Sequence, residues 1–172
     1  MKWTARHFQP SELIRTSRRG FEAAQAAGLT DPKVAPSLLA LATTILDPIR
    51  DHVGRPVRVN SGYRSPALNA ATPGASATSQ HIRGEAADIV IVGGSEADLW
   101  DLWRWIGWAS PLRFGQVIFE DARPADPEGG AWIHVSLGLG WRVPSRCGQR
   151  LTWSPSRGYT TFGADPGARV VG

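Results

Sequence analysis

Apolar residues recur at helical spacing over residues 36–53, three or four positions apart, and this pattern predicts an amphipathic helix. Gly54 ends it, since glycine readily adopts the left-handed conformation found at helix C-termini. Pro48 lies inside the segment and cannot donate the backbone hydrogen bond of a helix interior. We therefore expect a kink at this point, or a restart of the helix after Asp47.

Three more segments are predicted to form helices. The tryptophan-rich segment 97–108 follows a capping box formed by Ser95 and Asp98, and its apolar stripe predicts that most of these Trp side chains are core. The segment 8–28 is amphipathic, with Ser11 as its N-cap and a break at Gly20. A brief helix is predicted over 65–71, where a serine cap precedes a proline in the first helical position.

Four segments have the β-branched and aromatic residues typical of strands. They are 56–60, 86–92, 115–120 and 131–137. The second is apolar apart from Asp88 and should be buried, while the last two flank a loop rich in Pro, Asp and Gly and predict a hairpin. Beyond residue 141, Gly, Pro and Arg dominate, so irregular structure with at most one further strand is expected over 142–172. The predicted class is α+β, with helices packed on a small antiparallel sheet.

Composition narrows the class of protein. The 172 residues are 42% hydrophobic and 20% charged, which fits a single domain over 1–172 with its own core. The net charge of +4 suits an anionic partner. Because the Arg residues are scattered and no nucleic-acid motif is present, a bacterial envelope polymer is favoured over nucleic acid. Cys147 is the single cysteine and can form neither an internal disulfide nor a multi-thiolate metal site.

Two of the four histidines have settings that suit metal binding. His81 precedes the buried strand that contains Asp88, and His134 lies in the middle of a later strand. On that later strand Trp132, His134 and Ser136 share the face opposite the aliphatic residues. A catalytic zinc needs three His, Asp or Glu ligands and one open position. His81, Asp88 and His134 could supply them, or the two histidines could be structural and hydrogen-bonded.

Three ordered blocks resemble the zinc D-Ala-D-Ala carboxypeptidase family, peptidase family M15. They are 60–65 (NSGYRS), 79–88 (SQHIRGEAAD) and 132–136 (WIHVS), and the shorter matches 7–8 (HF) and 47–50 (DPIR) resemble its phage and prophage branch. The similarity extends over about residues 7–141. It implies the Hedgehog/D-Ala-D-Ala-peptidase fold and a zinc ion (Zn²⁺) held by His81, Asp88 and His134.

The same resemblance implies roles for further residues. Arg64 matches the arginine that holds a carboxylate of the substrate, a task that suits the guanidinium fork. Ser79 matches a polar position that helps to bind substrate, although a plain loop serine fits as well. Trp132 could form a wall of the cleft or simply pack.

The general base is the point at which the sequence departs from part of the family. Several members have an acid three residues before the last His ligand, where this chain has Ala131. In the phage-type branch an acid ends the preceding strand, and Glu120 matches it. Glu128 is the alternative, because the loop 121–130 is lengthened. We prefer Glu120, since a strand end is a more rigid mount than a loop position flanked by glycine.

These features predict a zinc peptidase that hydrolyses stem peptides or cross-bridges of peptidoglycan. We expect it to be a monomer that binds no nucleic acid and has no membrane-spanning segment. No signal peptide precedes the domain, so we expect synthesis in the cytoplasm and delivery as a phage lysin released by a holin, or as part of a phage particle. The alternatives are an L-Ala-D-Glu endopeptidase of the same family, a non-catalytic zinc-stabilised wall-binding module, and a basic structural or nucleic-acid-binding phage protein.

Overall fold

The computed structural model describes residues 2–121, 130–138 and 148–167, so Glu128 and Cys147 lie outside the described residues. These ranges contain six strands in one sheet. They are β1 (Val57–Ser61), β2 (Ala86–Ile91), β3 (Phe114–Glu120), β4 (Trp132–Leu137), β5 (Gln149–Ser154) and β6 (Gly158–Thr161). Their order is β1-β2-β4-β3-β5-β6. Neighbouring strands are antiparallel except β3 and β5, which are parallel. The sheet is therefore mixed, whereas the sequence predicts an antiparallel sheet.

Helices precede the sheet along the chain and also connect its strands, which confirms the α+β class. The α-helices of the described ranges are α1 (Pro10–Leu13), α2 (Glu22–Ala26), α3 (Ala35–Leu41), α4 (Asp47–Val53), α5 (Pro66–Ala71) and α6 (Glu96–Arg104). Two π-helical turns, Ala42–Leu46 and Trp105–Ala109, follow α3 and α6, and a 3-10 turn over Gln80–Arg83 leads towards β2. None of the described helices has the length and apolar character to cross a membrane.

Alternation along the strands separates a core face from an open face. On β4, Ile133 and Val135 are fully buried in the cluster that includes α3, α4 and α6. Trp132 and His134 project from the opposite face, as the alternation predicts. The tryptophan-rich helix contributes to the same core, where Trp103 is fully buried. The second face of the sheet is thus available for chemistry.

Pro48 is accommodated without a break in the long helical segment. The π turn Ala42–Leu46 joins α3 directly to α4, and Pro48 is the second residue of α4, just after this turn. The helical path is therefore continuous through Asp47, and the expected kink or restart is replaced by a change from π to α geometry at that residue. The Asp47 carboxylate also accepts hydrogen bonds from the backbone N–H groups of Arg6 and His7, at 2.7 and 3.0 Å. It therefore ties the N-terminal segment to the helical layer.

The predicted break at Gly20 is confirmed, because α2 begins at Glu22, but the helix before it is shorter than expected. The chain forms α1 and α2 with non-helical residues between them, and Gln9 rather than Ser11 precedes the first helical residue. The backbone carbonyl of Leu13 accepts a hydrogen bond from the N–H of Tyr63 at 2.7 Å. The carbonyl of Leu13 is therefore bonded to a residue distant in sequence instead of to an N–H group of a further helical turn of α1.

The segment after residue 141 is more regular than predicted, because it contains two strands. β5 pairs in parallel with β3, and β6 pairs with β5 across a turn that ends at Gly158, whose φ is +65°. A side chain at that φ would strain the backbone. The pattern of β5 is a weak signal, since Leu151 is its single buried residue. The strand therefore depends on pairing with β3 rather than on its own alternation.

Candidate active site

The open face of the sheet forms the floor of a cleft with a volume of about 870 Å³. Its walls come from residues 15–18, between α1 and α2, and from the segment 60–81, which includes α5. The cleft brings together every candidate site residue that the structure describes. They are Arg64, Ser79, His81, Asp88, Glu120, Trp132 and His134.

Three potential ligand atoms meet on the cleft floor. Asp88 on β2 lies directly opposite His134 on β4, and His81 reaches both from the Gln80–Arg83 turn. The Nδ1 atom of His134 is 2.9 Å from Oδ1 of Asp88 and 3.2 Å from Nε2 of His81. The third separation, from Nε2 of His81 to Oδ1 of Asp88, is 3.3 Å. The three side chains could therefore hold one metal ion.

The dimensions of this triangle fit a tetrahedral zinc site. Ligand atoms about 2.0–2.1 Å from a tetrahedral zinc ion lie roughly 3.3 Å from one another, close to the three observed separations. The ligand set of two imidazoles and one carboxylate also suits zinc. The His81, His134 and Asp88 side chains keep 2%, 11% and 18% of their exposure, respectively. Such burial shields the site while leaving it accessible from the cleft.

The backbone carbonyl of Gly62 orients His81. It lies 2.7 Å from Nδ1 of that ring, so Nδ1–H donates to it and Nε2 presents its lone pair to the triangle. A Cβ atom on Gly62 would lie 2.2 Å from the carbonyl oxygen of Leu13. Only glycine therefore permits this close approach of the loop to α1.

Burial and the neighbouring side chains shift the pKa values of His81 and Asp88. Burial lowers the pKa of His81, and the nearby Asp88 carboxylate offsets only part of this effect. Burial by itself raises the pKa of Asp88, but protonated imidazoles outweigh it, through the charge of His81 and hydrogen bonds from His134 and His81. The pKa of Asp88 consequently falls well below its ordinary value. A neutral imidazole and an ionised carboxylate are the metal-binding species.

Glu120 ends β3 and faces the cleft with 6% of its surface exposed. In the register of β3 and β4, Ile118 lies opposite His134 and Glu120 lies opposite Trp132. Glu120 is therefore the diagonal neighbour of His134 on the same face of the sheet. Backbone positions related in this way are roughly 7–8 Å apart, a distance that a long side chain can span. The structure places the preferred base beside the candidate metal centre.

Other predicted residues also line the cleft, and two of them have local structural contacts. Ser79 precedes the turn that carries His81, and its hydroxyl accepts the backbone N–H of His81 at 3.3 Å. Arg64 donates its backbone N–H to the carbonyl of His81 at 3.1 Å. Trp132 is half-buried and borders the cleft beside Glu120.

The other two histidines lie elsewhere. His7 contacts Asp51, with its Nε2 2.7 Å from a carboxylate oxygen. His52 stacks on Trp105 with ring centroids 3.7 Å apart. Neither belongs to the triangle on the cleft floor.

Gln25 supports the cleft wall beside Arg64, and the sequence does not point to it. Its side chain is buried, with 1% exposure. Its Nε2 donates to the carbonyl of Tyr63 at 2.5 Å, and its Oε1 accepts the N–H of Ser65 at 2.6 Å. The amide thus holds the backbone on both sides of Arg64. A buried glutamine in an amphipathic segment resembles an exposed one, so the sequence offers no clear signal for it.

We expect Gln25→Leu to lower the free energy of unfolding by about 1–3 kcal/mol, because it leaves buried backbone groups without partners. The same change should raise KM for a carboxylate-bearing substrate, since the backbone of Arg64 loses its support. Denaturant unfolding and steady-state kinetics measure the two effects. Ala23→Leu, at an exposed position of the same helix α2, is the matched control and should leave both quantities near their wild-type values. Equal unfolding midpoints for Gln25→Leu and wild type would contradict the assignment.

Comparison with known proteins places these residues in a family. A family model described as Peptidase M15 matches residues 6–119, a range that includes His81 and Asp88 and ends one residue before Glu120. No curated protein matches the chain. The family match spans well over half of the 172 residues. The chain therefore belongs to peptidase family M15, and the resemblance inferred from its motifs is confirmed.

Proposed function

We propose that this M15 peptidase is zinc-dependent and hydrolyses peptide bonds of bacterial peptidoglycan, in the manner of a D-Ala-D-Ala carboxypeptidase. The observation that carries the proposal is the triangle of His81, Asp88 and His134 on the cleft floor, with ligand atoms 2.9–3.3 Å apart. These three residues would hold the zinc ion. When bound, zinc supplies a Lewis acid that lowers the pKa of water and polarises the scissile carbonyl.

Glu120 supplies the proton transfers of the proposed reaction. As general base it takes a proton from the attacking water, and as general acid it returns the proton to the leaving amine. Its position at the end of β3, one diagonal step from His134, supports this role. The strand mount restricts the geometries that the side chain can adopt.

Arg64 binds a carboxylate of the substrate in this proposal, through the paired N–H groups of its guanidinium. Its backbone is fixed by the carbonyl of His81 and, on either side, by the amide of Gln25. Substrate binding and the metal site therefore share one segment of backbone. The presence of Arg64 and Glu120 beside the triangle argues against a non-catalytic wall-binding module.

An L-Ala-D-Glu endopeptidase is the second candidate. The cleft continues past the triangle to Gln149 on β5 and Tyr159 on β6. Such an extension would accommodate substrate on both sides of the scissile bond, as an endopeptidase requires. We also propose that the enzyme acts on the wall as a phage lysin or as part of a phage particle, because residues 7–8 and 47–50 resemble the phage-type branch.

Digestion of purified peptidoglycan, followed by mass analysis of the products, tests the proposal. We expect cleavage that a chelator abolishes and that added zinc restores. Removal of one terminal alanine would identify a carboxypeptidase, whereas release of larger stem fragments would identify an endopeptidase. Intact walls in the presence of zinc, or products cut in the glycan strand, would contradict the proposed function.

A further inference from the structure

We infer that Arg15 and Arg18 form a second anion-binding subsite in the cleft, which recognises a carboxylate of the substrate remote from the scissile bond. The inference rests on the proposed function and narrows its substrate class. The favoured stem peptides would keep this remote carboxylate free, while peptides in which it is amidated would bind less tightly.

Each of the two guanidinium groups contacts a neutral backbone acceptor. Nη2 of Arg15 donates to the carbonyl of Val59 at 3.4 Å, and Nη1 of Arg18 donates to the carbonyl of Ala71. A guanidinium has five N–H donors, and each of these two uses one of them on the backbone. The contacts hold the two cations at the cleft wall and leave their remaining donors available to a ligand.

No acidic side chain of the described residues compensates the charge of these two arginines. No carboxylate within residues 2–121, 130–138 and 148–167 forms an ion pair with Arg15 or Arg18. Arg83 and Arg104 differ, because they pair with acids at 2.7 and 2.6 Å, respectively. Like-signed charges in a cleft raise the local concentration of an anionic ligand. The pair on the wall is therefore suited to a carboxylate.

Their place along the cleft separates this subsite from the reacting centre. Val59, which anchors Arg15, lies on β1, and Ser61 of the same strand lies opposite Asp88. Ala71, which anchors Arg18, is the last residue of α5. The subsite thus lies on the β1 side of the triangle, whereas Glu120 lies on the β3 side. A peptide lying across the sheet would reach both.

Two acidic residues belong to the described cleft lining, and neither is assigned to the wall that carries Arg15 and Arg18. They are Asp88, which belongs to the triangle, and Glu120, on the far strand. Within a stem peptide, two groups offer the required chemistry: the free α-carboxylate of a γ-linked glutamate and the side-chain carboxylate of a diamino acid. Amidation removes the charge of either, so matched peptides can identify which one binds.

The test compares three synthetic stem peptides: one with both carboxylates free, one amidated at the glutamate and one amidated at the diamino acid. We expect one of the two amidations to raise KM of the wild type by about 5- to 10-fold, the scale of two partly exposed ion pairs. The double variant Arg15→Gln/Arg18→Gln should show that higher KM with the unmodified peptide and should respond to neither amidation. Arg19→Gln, an exposed neighbour outside the cleft lining, is the matched control and should behave as wild type.

Wild-type KM values that are equal for all three peptides would overturn the inference, and so would a double variant that retains the wild-type response to amidation. Both results would leave the proposed function intact if the wild type hydrolyses the peptides. If no peptide is hydrolysed, the proposed function fails. Calorimetric titration of the same peptides into the wild type and the double variant then tests the subsite by itself, with the same expected order of affinities.

Discussion

The His134→Ala protein is expected to retain no stoichiometric zinc after dialysis, whereas the wild type retains one ion per chain. A catalytic zinc site has three protein ligands, and this substitution removes the one that lies between Asp88 and His81. Loss of a group that merely supports a ligand typically costs about 10- to 100-fold in metal affinity, so loss of a direct ligand should cost more. Elemental analysis of the purified proteins measures the effect.

His7→Ala and His52→Ala are the matched controls for this experiment. Both residues are histidines of the same chain, but their rings contact Asp51 and Trp105 instead of the triangle. Both variants should retain zinc at the wild-type ratio. Circular dichroism should confirm that all variants are folded. Undiminished zinc in a folded His134→Ala protein would disprove the proposed metal site.

Glu120→Gln should reduce kcat by about 10²-fold or more, the usual scale for loss of a general base. The amide keeps the size of the side chain at the end of β3, but it cannot take a proton from water. Zinc content should stay at the wild-type value, because Glu120 is not one of the three ligands. Steady-state kinetics on a stem peptide, with elemental analysis of the same sample, separates proton transfer from metal binding.

Glu128→Gln provides the comparison for that result. Glu128 is the other candidate base, and its loop lies outside the described residues. We expect its rate to stay within a few-fold of wild type. A large loss of rate in Glu128→Gln, together with a small one in Glu120→Gln, would show that the base is the loop residue.

Much of the site could be predicted because its residues obey local rules. Alternation along β4 places His134 on the face opposite Ile133, and the structure has this arrangement. The motif around His81 and Asp88 joins a turn to a buried strand, and the register of β2 with β4 brings Asp88 opposite His134. These features depend on strand period and on pairing between strands with strong apolar patterns.

The features that could not be predicted depend on partners distant in sequence. β5 forms because β3 offers a parallel edge, while its own residues alternate only weakly. α1 stops where Tyr63 takes the carbonyl of Leu13. Gln25 is buried because the backbone beside Arg64 needs its amide. In each case a tertiary contact overrides the conformational preference of the local sequence. Such a contact cannot be inferred from the pattern of a single sequence.

The loop 62–65 has a thermodynamic consequence. Gly62 contacts the ring of His81, and Arg64 donates its backbone N–H to the carbonyl of that same residue. An ion that orders His81 would therefore also lower the entropy lost when Arg64 engages a carboxylate. Linkage is reciprocal, so a ligand bound to Arg64 would increase the affinity of the protein for the ion by the same factor. A ligand carboxylate at Arg64 would therefore slow the loss of the ion, and a chelator would strip the free protein faster than the ligand-bound protein.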